Sequence, residues 1–267
     1  MNMSNSPIAV FDSGLGSISV IRELKSLLPL EDLIYLADTE NFPYGTKSPE
    51  DLKRVMNSTL EALETYGPKL IIVASHTPSV QHLDYIKSRT SISTIGMKIP
   101  LAQAVKLTRT KHIGLMATKS TLNSVQLQRL IARMVPQRIF VTQINASPLI
   151  DTIEDFSFVD DGHLRNSILE RTFHSSMNGK IDVIVLSSTH LALVKEYFDS
   201  LYSNITFIDS AKNVARDARK LLQESGNLKK GRSGKTRVLV TGDKARFQQL
   251  LTRLGIKCRA ELFNSIS

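Results

Sequence analysis

Apolar residues in this chain gather in short runs, and most runs are followed by a stretch with helical spacing. "PIAVFD" (7–12) reads as a buried strand, and "SISVIRELKSLLP" (17–29) then places Ile18, Ile21, Leu24, Leu27 and Leu28 on one helical face. "DLIYLAD" (32–38) is a second strand. "SPEDLKRVMNSTLEALETYG" (48–67) opens with a helix start: Ser48 to cap, Pro49 at the first helical position, and Glu50 and Asp51 at the positive helix end. Gly67-Pro68 closes it. Further strands are expected in "KLIIVAS" (69–75), "HIGLMAT" (112–118), "RIFVTQI" (138–144), "DVIVLSS" (182–188), "ITFIDS" (205–210) and "TRVLVTG" (236–242). Strands alternating with helices are the pattern of parallel sheets flanked by helices, so the fold class is α/β.

The order repeats. "IAVFDSGLGSISV" (8–20) is similar to "IGLMATKSTLNSV" (113–125), and "LIIVASHTPSV" (70–80) to "VIVLSSTHLAL" (183–193). A duplication of this kind predicts two pseudo-symmetric parallel-sheet lobes. Each would carry its polar groups at the C-terminal ends of its strands, where open sheets bind ligands. Two strands then end on matching polar clusters, Ser75-His76-Thr77 and Ser188-Thr189-His190, which would face one inter-lobe cleft.

Composition narrows the class. Of 267 residues, 42% are hydrophobic and 22% charged, ordinary for a globular protein with a substantial core. No apolar run approaches the roughly 20 residues of a membrane helix, and "MNMSNSPIAVF" lacks the basic and apolar regions of a secretory signal. The single cysteine, Cys258, excludes an internal disulfide and fits a reducing, cytoplasmic setting; in "LGIKCRAELF" it reads as a half-buried thiol on a short strand. The net charge is +9, but basic residues are scattered and only 6% of residues are aromatic, which argues against a nucleic-acid partner. The densest basic stretch, "LKKGRSGKTR" (228–237), reads as a solvated linker. A positive surface favours the approach of small anions instead. The histidines lack metal-ligand spacing, so no metal is expected.

"FDSGLGS" (11–17) is a strand, a glycine-rich turn and a helix; such a turn can offer backbone N–H groups to an anion, but its spacing is neither the dinucleotide fingerprint nor a Walker loop. "DTENFPYGTKS" (38–48) is a polar loop ahead of a capped helix. Together these motifs resemble the glutamate racemase family of the aspartate/glutamate racemase superfamily, over nearly the whole chain. Phe11-Asp12-Ser13-Gly14, Pro43-Tyr44-Gly45, the "IGLMATKSTLNS" turn with Thr118 and Thr121, "FIDSAKNVA" (207–215) and "VTGDKARF" (240–247) follow the family's motifs in order. The resemblance implies lobes of residues 1–98 with 208–267 and of 99–207, and a cofactor-independent isomerase acting on glutamate, aspartate or a related dicarboxylate. It implies substrate contacts at Ser13, Pro43, Tyr44, Gly45, Thr77, Thr118 and Thr189, and reaction groups at Asp12, His190 and the two cluster serines. A family glutamate falls on Glu154 or Asp155. Oligomeric state is not written in the sequence; a homodimer stays open.

The family's two cysteines, in alanine-cysteine-asparagine-threonine and glycine-cysteine-threonine-histidine-tyrosine motifs, fall on Ser75 and Ser188. The asparagine falls on His76, the glycine on Ser187 and the tyrosine on Leu191. Racemisation removes a proton from one face of the α-carbon and returns one to the other, so it needs two acid/base groups. A thiol ionises near pH 8.5 and can be tuned lower. An aliphatic hydroxyl is a far weaker acid, comparable with water. Two-thiol chemistry is therefore not expected. His76 and His190, with unperturbed values near 6.5, are the alternative bases. A Ser188–His190–Asp12 hydrolytic triad is disfavoured because Asp12 belongs to the other lobe. Three readings stay open: a carbon-acid isomerase or lyase using histidine, a ligand-binding or regulatory protein that kept the pocket, and, least supported, a nucleic-acid-associated protein.

Overall fold

The computed structural model describes residues 3–174 and 179–263. Among them are ten strands: β1 Ile8–Asp12, β2 Leu33–Ala37, β3 Leu70–Val73, β4 Thr94–Gly96, β5 His112–Ala117, β6 Phe140–Asn145, β7 Val183–Ser187, β8 Thr206–Ile208, β9 Thr236–Val240 and β10 Ala260–Leu262. They form two all-parallel sheets. One has the order β10-β9-β2-β1-β3-β4, the other β6-β5-β7-β8. The internal repeat is explicit in this topology: β2-β1-β3-β4 and β6-β5-β7-β8 are the same strand order, and the first sheet adds β9 and β10 beside β2.

Both faces of each sheet are covered, which is why the central strands read as unbroken apolar runs. In β1, Ile8 and Val10 enter one core and Ala9 and Phe11 another. In β7, Val183 and Val185 face one core while Ile184 and Leu186 face the next. The expected helices form as Ile18–Leu27, after a short 3-10 turn at Leu15–Ser17, and Pro49–Glu64, where the Ser48 hydroxyl accepts from the Asp51 N–H at 3.1 Å. Gly67 takes φ +58° in the turn beyond. After β8 the helix Ala211–Glu224 packs against Ile18–Leu27, returning the chain to the first lobe.

The structure corrects two expectations. The basic stretch 228–237 is not a free linker. Lys229 N–H donates to Glu31, its ammonium pairs with Asp32 at 2.5 Å, Lys235 N–H donates to Asp32, and Gly234 N–H to the Pro29 carbonyl. The segment is strapped to the edge of the first lobe while Lys230, Arg232, Lys235 and Arg237 stay exposed. Cys258 is half-buried, but it lies just before β10 rather than on a strand.

Candidate active site

The C-terminal ends of the central strands of the two sheets meet. Asp12 ends β1, and Ser75 follows β3 at the start of the helix His76–Gln81. Ser188 follows β7 at the start of the helix Thr189–Leu193. Both serines hold the extended N-cap backbone, φ −126° and −152°, so the duplicated strand–helix turns place them equivalently. They line one inter-lobe cleft of about 340 Å³, open space at its mouth included. All twelve residues expected from sequence line it: Asp12, Ser13, Pro43, Tyr44, Gly45, Ser75, His76, Thr77, Thr118, Ser188, Thr189 and His190. Phe42, Ile150 and Ser187 complete the wall, which contains no cysteine, lysine or arginine.

The lobes are joined at the cleft by hydrogen bonds. Thr189 donates its hydroxyl to Asp12 Oδ2 at 2.8 Å, while Asp12 Oδ1 accepts the Ser13 N–H at 2.7 Å. Burial pushes the Asp12 carboxyl above its usual range, against the opposing pull of His190 and of these hydrogen bonds. Thr77, from the first lobe, meets Thr118 and Thr121 of the second at 3.2 Å each. Thr118 also caps the helix Lys119–Leu122.

His190 donates from Nε2 to Glu154 Oε2 at 2.7 Å, and that carboxylate takes the Leu15 N–H at 2.8 Å. The glycine-rich turn thus does present an N–H to an anion, and the anion is a carboxylate of the other lobe. Burial alone would lower the His190 pKa. The hydrogen bond and charge of Glu154, with Asp12 and Asp151, outweigh it and hold the imidazole above its usual value. The alternative Asp155 instead takes the Ser157 hydroxyl, at 2.6 Å. A Cβ at Gly14 would lie 2.6 Å from Glu154 Cδ, and one at Gly16 would lie 2.6 Å from His190 Nδ1 and 2.8 Å from its backbone nitrogen. These glycines let the lobes touch.

His76 is different. Its Nε2 shares a 2.9 Å hydrogen bond with Ser210, and burial drops its pKa to about 3. It is a neutral ring with little basicity, which removes the physical ground for a His76/His190 pair of bases. The Ser188–His190–Asp12 triad does not form either: His190 Nε2 is held by Glu154, and Asp12 by Thr189. Four residues escaped the sequence reading. Phe42 lies 5.6 Å, ring to ring, from His190, Ile150 reads as ordinary core, Ser187 is one residue from a flagged serine, and Ser210 supports His76 from a distant segment. Phe42, beside Pro43-Tyr44-Gly45, Ser187, beside Ser188, and Ser210, within "FIDSAKNVA", each had a signal in or next to a motif; Ile150 had none. Among the described residues no group of three or more histidine, cysteine or acidic side chains is arranged to hold a metal ion.

A family model described as Asp/Glu/Hydantoin racemase matches residues 13–218, and the chain belongs to that family. It is 34% identical to a glutamate racemase of Herpetosiphon aurantiacus over 258 residues, 96% of this chain and 100% of the relative. Among solved structures, a glutamate racemase isoform from Bacillus anthracis superposes with a TM-score of 0.87 at 26% identity, covering 98% of each chain. The Francisella tularensis glutamate racemase solved with D-glutamate gives 0.83 at 25% identity, covering 98% of this chain and 99% of that one. The protein is glutamate racemase-like in sequence and in fold.

Proposed function

We propose that the cleft binds glutamate or a closely related dicarboxylate, and that this protein moves the α-proton far more slowly than a site with two thiols would. One observation carries the reading: the cleft is lined by eight hydroxyl-bearing residues, Ser75 and Ser188 among them, and by no thiol. Hydroxyls and backbone N–H groups at strand ends suit the carboxylates of a small acid. They cannot serve as bases near neutral pH: an aliphatic hydroxyl is about as weak an acid as water, and burial pushes the Tyr44 phenol above its usual value. The likeness to a racemase solved with D-glutamate supports the ligand class. His190 supports binding rather than proton abstraction, because its Nε2–H is committed to Glu154. A reducing, cytoplasmic setting and a homodimer belong to the same reading; light scattering tests the second.

The test is direct. Glutamate or aspartate at about 100 times its dissociation constant should stabilise the fold by roughly 2.7 kcal/mol, read as a rise in melting temperature. Exchange of the α-proton of L- or D-glutamate in D₂O should be slow. Rapid exchange that survives Cys258→Ala would overturn the catalytic half of the proposal. A panel of dicarboxylates without effect on melting would overturn the binding half.

A further inference from the structure

Among the described residues, four buried side-chain atoms have no hydrogen-bond partner: Glu31 Oε2, His76 Nδ1, His82 Nε2 and Ser187 Oγ. Glu31 Oε2 is 2.5 Å from the Lys69 ammonium, so its need is met electrostatically. Two of the remaining three, His76 and Ser187, line the same cleft. They come from opposite lobes: Ser187 ends β7, and His76 begins the helix after β3. Leaving a buried polar group unpaired costs stability, so native structures seldom do it without a reason.

Ser187 is the more informative of the two. It is 1% exposed, and its neighbours in the cleft wall, Ser188, Thr189 and His190, are already assigned to the ligand or to Asp12 and Glu154. The motif of the resembled family has glycine where Ser187 stands, so the hydroxyl is an addition to the strand end. An alanine there would keep the strand and lose only the hydroxyl. His76 offers a second unpaired atom across the cleft, on a ring that Ser210 fixes at the other nitrogen.

We propose that Ser187 and His76 are specificity-determining ligand contacts, left unpaired by the protein because the ligand completes them. Ser187 donates its hydroxyl to an acceptor oxygen of the bound acid. That oxygen belongs to a carboxylate or to an amide carbonyl, and the two sources are separated below. The inference rests on the reading of the cleft as a site for a small acid and extends it to two residues and a selectivity.

The experiment compares wild type, Ser187→Ala and His76→Asn. It measures melting without ligand, and titration calorimetry with L-glutamate and L-glutamine as probes of equal shape. Ser187→Ala should melt at the same temperature as wild type or higher, because a buried unpaired group has been removed. The same variant should bind the preferred probe at least tenfold more weakly. A larger loss for glutamate identifies the carboxylate as the partner; a larger loss for glutamine identifies the amide. His76→Asn should change the ratio of the two affinities. A clear fall in the melting temperature of Ser187→Ala would mean that its hydroxyl serves the fold, and would overturn the proposal. So would unchanged affinities in both variants while wild type binds; that result leaves the cleft as a binding site and removes only these contacts. Wild-type protein that binds neither probe would overturn both.

Discussion

Thr189 of the second lobe donates a 2.8 Å hydrogen bond to the Asp12 carboxylate of the first, and both residues are buried. This bond crosses the cleft beside the two serines. The Glu154 carboxylate makes a second crossing through the Leu15 N–H, and the Thr77–Thr118 and Thr77–Thr121 pairs make others. The lobes are therefore held together by the polar groups that a ligand would also address. If the cleft takes the proposed ligand, binding and lobe contact would draw on the same hydrogen bonds, and changes at these contacts should alter both.

The first prediction concerns alkaline pH. His190 is held above its usual pKa, with burial opposed and outweighed by Glu154, Asp12 and Asp151. A raised pKa in the folded state stabilises fully below the unfolded value near 6.5, and that stability is lost as pH rises through the folded value. Melting temperature should fall across this window. Asp12, also raised, acts with the same sign at lower pH: stability falls as pH climbs from about 3.8. Glu154→Gln removes the chief stabiliser of the imidazolium and should flatten the decline above pH 6.5. A variant with an undiminished slope would show that another group titrates.

Acid should reveal His76. Its folded pKa of about 3 lies below the unfolded value, so the unfolded chain takes a proton that the folded one refuses. The cost appears as pH falls below 6.5 and reaches about 2 kcal/mol near pH 5. Asp12 works in the opposite direction there, so the informative quantity is the difference between wild type and His76→Asn. That difference in melting temperature should shift in favour of the variant from pH 7 to pH 5. A difference independent of pH would contradict a buried neutral imidazole.

Most of this architecture was legible because both sheets are parallel and covered on both faces. Runs such as Ile8–Phe11 and Val183–Leu186 stand out when nothing in them is solvated. The duplicated strand ends exposed Ser75 and Ser188 as a pair, and all the residues expected at the cleft line it. What stayed hidden had physical reasons. β4 has only three residues at a sheet edge, too short for an apolar pattern, and the sequence places β10, equally short, two residues too early, at Cys258. The Glu154 and Asp155 choice turns on one residue of helix rotation at the end of Ser147–Glu154. The strapping of 228–237 depends on Glu31 and Asp32, some two hundred positions away in the chain, which local charge density cannot reveal.

Lys69 and Glu31 form a fully buried ion pair at 2.5 Å, and the ammonium also donates to the Ser4 and Asn227 carbonyls. Removing one member of such a pair leaves an uncompensated buried charge, typically worth about 3–5 kcal/mol. Lys69→Met should lose that much in urea unfolding. The double variant Lys69→Met, Glu31→Leu should recover a good part of it, because both charges are gone. Equal losses in single and double variants would assign the cost to packing and the lost carbonyl contacts.

Gly16→Ala tests lobe contact. The added methyl would meet Thr189 and two nitrogens of His190, Nδ1 at 2.6 Å and the backbone nitrogen at 2.8 Å. Each lobe has its own cores, so the sheets should survive while the cleft is wedged open. The expected result is near-native circular dichroism, a larger radius in small-angle scattering and weaker glutamate binding. An unchanged affinity would show that closure at this contact is not needed for the ligand.

The serines carry the last prediction. Ser75 and Ser188 occupy equivalent strand–helix turns on opposite lobes and line one cleft; a two-base reaction needs its groups on opposite sides of the α-carbon. What the serines lack is acidity: a hydroxyl is about as weak an acid as water, against a thiol near 8.5. Restoring thiols should therefore restore proton transfer without moving the backbone. The Ser75→Cys, Ser188→Cys double variant should exchange the α-proton of glutamate in D₂O faster than wild type, and should interconvert the enantiomers. Each single variant has a base on one face only, so both should lag behind the double variant in racemisation. His76 constrains the size of the gain, because it sits beside Ser75 as a neutral ring tied to Ser210 and leaves the new thiolate without a cationic neighbour on that side. On the other side His190, raised and paired with Glu154, can stabilise a thiolate at position 188. Ser188→Cys should accordingly show the lower thiol pKa of the two singles, measurable by the pH dependence of alkylation after Cys258→Ala. A double variant that binds glutamate with no exchange above the wild-type rate would show that acidity of these two groups is not what limits the chemistry in this cleft.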